Sequence, residues 1–233
     1  MRKYGFENEY GTTFDYGIRF LEFPSFDYGK EIIENKSIGG TVGTLTIHTG
    51  KYTDTIITNV IEFQSETLQD YEEDMLQIKE WLRKTKKVIY TDSEDRFYKV
   101  KRVDIDNEMR KYGIFGNLTV VFTCNPSVYY LDGLYPISFS EKLYNARSIS
   151  EPIYLISGEG VCTLTVNDRS VRANVGQNLT IDTERMLSYR NDGTLQNTAI
   201  TGNYEDLYLL PGENKISITD GFDLKIIPNW RCL

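Results

Sequence analysis

The chain is poor in the residues on which most enzyme chemistry rests, with one histidine and three cysteines among 233 residues. Any Ser-His-acid or Cys-His mechanism must use His48, which sits among threonines beside a predicted hairpin tip with no carboxylate close in sequence. A solvated hairpin histidine is the simpler reading. Cys124, Cys162 and Cys232 are odd in number, far apart and free of CxxC spacing, so neither a disulfide framework nor a zinc site is expected. HExxH, GxSxG, P-loop and strand-linked GxGxxG patterns are missing, and Gly158-Glu159-Gly160 lacks the following helix that phosphate binding needs. Long apolar runs are missing too. No segment approaches the roughly 20 apolar residues of a membrane-crossing helix, and the opening MRKYGFENEYG lacks the apolar core of a secretory signal. Neither membrane association nor an encoded export route is expected. Basic charge is the minority, 26 Lys and Arg against 34 Asp and Glu for a net charge of -8, and the two signs are interspersed, which argues against nucleic acid as a partner.

Acidic residues are plentiful, but their number removes their weight as evidence. With 34 carboxylates, a pair at glycosidase spacing arises by chance. Asn167, Asp168, Asp182 and Asp192 carry oxygen ligands suited to calcium, yet no EF-hand loop accompanies them and turn roles explain them better. The sequence therefore predicts no catalytic residue, no cofactor and no metal.

What is present points to pleated sheet. Aromatic content is 13%, with 17 Tyr and 11 Phe, and Val, Ile and Thr are spread throughout. The length suits one large domain or two modest ones, and two are expected. A strand is predicted within FDYGIRFLEFPSF, residues 14–26, ended or edged by Pro24. In TVGTLTIHTGKYTDTIITNVIEF, Val42, Leu45 and Ile47 precede a polar HTGKYTD segment, and Ile56, Ile57, Val60, Ile61 and Phe63 follow it. This predicts a long hairpin over about residues 38–63 with a polar tip. An arm that packs on a neighbour and an ordinary internal hairpin both fit that pattern.

One helix is predicted, over about 66–84, because Leu68, Tyr71, Met75, Ile78 and Leu82 recur at spacings of three and four. Ser65 or Thr67 is placed to cap it, acids crowd its start and lysines its end, so its charges need no ligand. Strand-like runs KVIYTD, RFYKVKRVDID and GNLTVVFTC follow, the last expected to stop at Asn125-Pro126. Weak periodicity and scattered Gly and Pro over 127–150 place a domain boundary near residue 140. From 151 onward, short apolar runs recur about every ten residues between Gly, Asn, Asp and Pro, the pattern of a β-sandwich or jelly roll. Within it, LYLLPGENKISI sets Pro211 and Gly212 at the centre of a turn, a sandwich corner that needs no further function. Tyr154, Tyr189, Tyr204, Tyr208, Phe222 and Trp230 could form sugar-stacking platforms, although core or rim packing suits most of them better.

Four stretches, in this order, resemble the distal tail (Dit) proteins of long-tailed bacteriophages: FTCNPSVYY at 122–130, the interdomain segment around Leu131-Asp132-Gly133-Leu134, ITGNYEDLYLLPGENKISI at 200–218, and LKIIPNWRCL at 224–233. The resemblance spans essentially the whole chain, though each motif is loose. It implies a mainly β, two-domain protein. Residues 1–140 would form an N-terminal ring-forming β-sandwich with one helix and a long hairpin arm, and 141–233 a galectin-like or carbohydrate-binding-module-like jelly roll. It also implies a non-enzymatic virion component at the tail tip, a homohexameric ring. Its partners would be the major tail or tube protein, a tail-associated lysin or hub protein, and receptor-binding proteins at the periphery. Carried onto this sequence, the arm's contacts with the adjacent subunit would be Val42, Leu45, Ile47, Tyr52 and Ile57. The sandwich's lack of histidine and its single late Trp argue against galectin chemistry, and a carbohydrate-binding module is the alternative function.

Overall fold

The computed structural model describes residues 4–37, 39, 40 and 43–233. Val128 closes a first compact unit and Tyr129 opens a second. In chain order the first unit contains β1 (Phe6–Asn8), β2 (Gly11–Thr12), β3 (Arg19–Phe20), β4 (Ser25–Asp27), β5 (Glu31–Ser37), β6 (Thr44–Tyr52), β7 (Thr55–Gln64), α1 (Tyr71–Arg83), β8 (Lys87–Tyr90) and β9 (Arg96–Lys111). It ends on β10 (Phe115–Tyr130), which runs on into the second unit. There follow β11 (Ile137–Ser138), β12 (Lys142–Asn145), β13 (Ile153–Val166), β14 (Arg169–Asp182), β15 (Leu187–Tyr189), β16 (Ile200–Thr201), β17 (Gly212–Ile218), β18 (Asp223–Ile227) and β19 (Arg231–Cys232). The protein is mainly β, and α1 is the one α-helix among the described residues.

In the first unit the main sheet runs β2-β1-β8-β9-β10-β7-β3, with β4 also on β7. β7 alternates strictly, its odd-numbered residues from Thr55 to Phe63 buried and the even ones half-covered, as period-two side chains require. Its long ladder is with β10, from Phe115 opposite Gln64 to Cys124 opposite Thr55. The buried faces meet the apolar stripe of α1, where Tyr71, Met75, Ile78, Trp81 and Leu82 are all covered. Phe6 lies at the centre, its ring stacked on Trp81 at 5.4 Å and edge-on to Phe122 at 5.4 Å.

The helix begins later than the sequence predicts. Asp70 occupies the N-cap position without a side-chain cap bond, and in the stretch leading to it residues 66 and 67 are bend and 68–70 turn. Their backbone is committed elsewhere: Ser65 N donates to Ile114 O at 2.9 Å and the Arg110 guanidinium donates to Leu68 O at 3.1 Å. Leu68 is therefore exposed rather than part of the buried stripe. The strand expected to stop at Pro126 continues to Tyr130. The β7 ladder has already ended at Cys124, so the missing Pro126 N–H costs it no bond, and Pro126 O accepts from the Thr55 hydroxyl at 3.3 Å.

The division at 128/129 lies upstream of the expected boundary near 140. Residues 131–145 are structural members of the second unit: Ile137 pairs with Ile226, Lys142 pairs with Lys215, and Gly133 is filled in by Trp230. That unit is built on the hairpin of β13 and β14, paired over fourteen residues from Ile153 opposite Asp182 to Val166 opposite Arg169. β17 and β18 flank β13, and β15 and β16 flank β14. Its own core gathers Tyr154, Ile156, Leu164, Val171, Ile181, Leu207, Leu209, Ile216 and Ile226. Tyr204, Phe222 and Trp230 pack against that core, so their rings serve packing as the sequence reading preferred. The Pro211-Gly212 corner is present, with Gly212 at φ 97°. Buried Asn214 ties it: its Oδ1 accepts from Leu210 N and its Nδ2 donates to Leu210 O, each at 2.8 Å.

Candidate functional site

The feature of the first unit that its core does not explain is the hairpin of β5 and β6. These strands pair only with each other, a two-stranded sheet apart from the main one. Its root grows out of the core ladder. β4 runs antiparallel to β7 with Asp27 opposite Ile56; Gly29 N and Lys30 N then donate to the hydroxyls of Thr55 and Thr53 at 3.1 and 2.9 Å. Glu31 follows opposite Tyr52, and pairing runs outward to Ser37 opposite Thr44. At the root the strands approach so closely that a Cβ on Gly29 would lie 2.3 Å from Thr53 O, which requires glycine there. Beyond it the arm has two open edges, and an isolated two-stranded hairpin is marginal without a covering surface.

The hairpin therefore differs from its predicted form over 38–63. The sequence reading paired the 42–47 run with 56–63 around a polar tip, whereas β6 pairs back onto β5 and β7 belongs to the core sheet. HTGKYTD lies on the descending limb and root, not at a tip. The arm is β5 and β6.

This moves the expected contact residues apart. Leu45 stands on the arm 50% exposed, and Ile47 and Tyr52 are half-buried on the same strand. Val42 lies outside the described residues. Ile57 is 0% exposed in the core of the first unit, facing Phe122 across the β7 ladder, and so is not an arm contact: the alternation of β7 turns it inward. Ile32 and Ile33 on β5, 43% and 48% exposed, were missed. Their signal was the adjacent apolar pair in EIIENKS, which lacks the alternation that marks a half-buried strand.

Register gives the arm two unlike faces. Leu45 and Ile47 stand opposite Lys36 and Glu34 on one side, and Thr44, Thr46 and His48 stand opposite Ser37, Asn35 and Ile33 on the other. The second face is internally bonded, with Thr46 Oγ1 donating to Asn35 Oδ1 at 2.8 Å. His48 Nδ1 lies 2.9 Å from Glu31 Oε2. The sequence reading found no carboxylate beside His48 because Glu31 comes from the partner strand. His48 is 70% exposed at its side chain, so the contact ties two strands together at the surface.

Two of the three thiols are buried. Burial pushes Cys124 up to about 12, with Asp54 adding to the shift and Lys101 opposing it, so this thiol stays protonated. Cys162 is buried as well, and its thiol is also pushed up by burial. Among the described residues, no group of three or more His, Cys, Asp or Glu side chains is placed to hold a metal ion, and no helix is long and apolar enough to cross a membrane.

No protein-family model and no curated protein sequence matches the chain. Solved structures do. The chain is similar to the SPP1 Dit (gp 19.1) protein, a paradigm of the hub adsorption apparatus in Gram-positive-infecting phages, with a TM-score of 0.66 at 12% identity over 97% of this chain and 98% of that one. It is also similar to a chain of the phage P2 baseplate in its activated conformation with Ca, with a TM-score of 0.51 at 11% identity over 100% of this chain and 98% of that one. The same baseplate with Sr gives 0.51 at 11% identity over 97% of each chain. Across its length, the chain has the fold of a phage Dit protein.

Proposed function

We propose that the protein is a structural, non-catalytic component of a phage tail tip, a Dit-type subunit that assembles with copies of itself into a hexameric ring. The ring would join the tail tube to the hub or tail-associated lysin, and carry receptor-binding proteins on its periphery. The observation that carries this reading is the whole-length likeness to the SPP1 Dit protein, in a chain whose β5 and β6 form a hairpin of their own with an uncovered apolar side.

The physics of the arm supports self-association. A two-stranded ladder gains little from its own hydrogen bonds and leaves apolar side chains in water, so covering one face on a neighbour stabilises both. A contact between two different surfaces of the same chain is head-to-tail, and when the rotation closes it makes a ring. Native mass spectrometry with negative-stain imaging of the purified chain over a range of concentration tests this. Six-chain particles with a central channel are expected; a single-chain mass at every concentration would remove the ring from the proposal.

A further inference from the structure

One cleft of the first unit brings a stack of aromatic rings to the surface beside polar side chains. It holds about 210 Å³ between Tyr10, Tyr16, Gln77, Glu80, Trp81 and Lys84. Gln77, Glu80 and Trp81 recur at spacings of three and four on α1, and Lys84 follows at its C-cap position, so the four share one stripe of the helix surface. Tyr10 and Tyr16 come from the turns on either side of β2. Buried Asn8 fixes that segment on the helix end: its Nδ2 donates to Thr85 Oγ1 at 2.8 Å, and its Oδ1 accepts from Tyr10 N at 2.8 Å. The walls of the cleft are therefore set before any ligand arrives.

Three properties of the cleft limit what fills it. Trp81 is 3% exposed, and its ring stacks on Phe6 at 5.4 Å and on Tyr16 at 4.7 Å, yet its Nε1–H meets no acceptor among the described residues. A buried indole N–H ordinarily has a partner, and an unpaired one calls for an explanation. The charges on the rim cancel, because Lys84 Nζ lies 2.6 Å from Glu80 Oε1. Beside that pair stand only neutral polar groups, the two tyrosine hydroxyls and the Gln77 amide, which donates one N–H to Glu73 Oε1 at 3.1 Å. Tyr10 is 60% exposed, a large ring open to solvent at the mouth.

We infer that this cleft binds one pyranose ring of a neutral saccharide, a role that goes beyond the self-assembly reading above and does not depend on it. An anion entering the cleft meets the Glu80 carboxylate and a cation meets the Lys84 ammonium, so either must compete with an ion pair already made. A wholly apolar ligand strips water from the rim hydroxyls and gives them nothing in return. A pyranose answers both constraints. Its C–H face lies against the Tyr10 ring, and its hydroxyls, each a donor and an acceptor, bond the Gln77 amide and the paired Glu80 and Lys84 without separating them. One of its oxygens supplies the acceptor that Trp81 Nε1–H lacks. Size sets the limit at one ring, since a cavity of about 150 Å³ accepts benzene and this cleft is only moderately larger. The sequence reading sought sugar platforms in the second unit, where Tyr204, Phe222 and Trp230 are taken up by packing; the open ring lies in the first.

The test is saturation-transfer NMR on the whole chain with the methyl glycosides of glucose, galactose, N-acetylglucosamine and rhamnose as probes, a readout that works for a single chain and for a ring alike. At least one glycoside is expected to give a saturable signal in the millimolar range. Tyr10→Ala, at an exposed position, and Trp81→Phe, which keeps an aromatic stack and drops the N–H, should each weaken it about tenfold, with circular dichroism showing an unchanged fold. Tyr208→Ala, in the second unit, should leave it as it is. Acetate, butylammonium and N-acetylprolinamide stand for an acidic, a basic and a peptide ligand. Silence with all four glycosides overturns the inference, as does a signal that survives Tyr10→Ala or is lost in Tyr208→Ala. Saturation by one of the three other probes in place of a glycoside also overturns it, and assigns the cleft to that chemistry.

Discussion

The hydroxyl of Tyr90 donates to Asn59 Oδ1 at 2.8 Å inside the first core, where both residues are buried, and Asn59 Nδ2 donates onward to Val120 O at 3.2 Å. An asparagine on the inward face of β7 is tolerable only because both ends of its amide are paired. Tyr90→Phe removes one donor and leaves Asn59 Oδ1 buried without it, at a cost of about 1–3 kcal/mol. The urea midpoint of the variant should fall with its m-value unchanged; an unchanged midpoint would mean that water reaches Asn59.

Deletions separate the arm from the core. Replacing residues 33–48 by a two-residue turn removes only the arm ladder, and the thermal transition should move little. Deleting 41–58 instead takes Ile57 and the first four residues of β7 with it, and the loss of a fully buried isoleucine alone is worth about 2–5 kcal/mol. The second chain should fail to fold under conditions where the first does. Equal stability of the two would return β7 to the arm.

Those deletions mark where sequence stopped being informative. The apolar stripe of α1 and the Pro211-Gly212 corner are local signals, and the structure keeps both. The helix start was misplaced because the carbonyl of Leu68 is claimed by Arg110, forty-two residues away in the chain. The hairpin was misassigned for a similar reason. β7 has the strongest alternation in its neighbourhood and was paired with the nearest apolar run, but its true partner, β10, begins fifty-one residues after β7 ends. Periodicity tells which face of a strand is buried and leaves open which strand lies beside it. The arm shows the converse: uncovered on both faces, β5 had no alternation to reveal it.

Gly133 tests whether the 131–145 stretch belongs to the second unit. A Cβ there would lie 2.3 Å from the backbone nitrogen of Trp230, a contact that only backbone movement relieves. Gly133→Ala should cost about 1–3 kcal/mol, and the near-ultraviolet signal of Trp230 should change with it. A silent substitution would mean that this segment is the pliant linker its Gly and Pro content suggested.

Alkaline pH should weaken the protein through its buried acids. Burial raises Cys124 from an ordinary value of 9.0 to about 12, and burial likewise raises Tyr90 and Tyr98 above their ordinary 10.0. In each case the folded pKa exceeds the unfolded one, so the folded state binds more protons in the window between them. The stability Cys124 contributes is complete below about pH 9 and is lost as pH rises toward 12, and that of the two tyrosines begins to fall only above about pH 10. Urea midpoints should be flat from pH 7 to 8.5 and fall steadily above that. Below the fall, brief alkylation of the native chain should label Cys232, which is partly exposed, and spare buried Cys124 and Cys162, while all three react in denaturant. Rapid native labelling of Cys124 would mean that β10 opens locally beside the arm root, where Thr55 and Cys124 end the ladder.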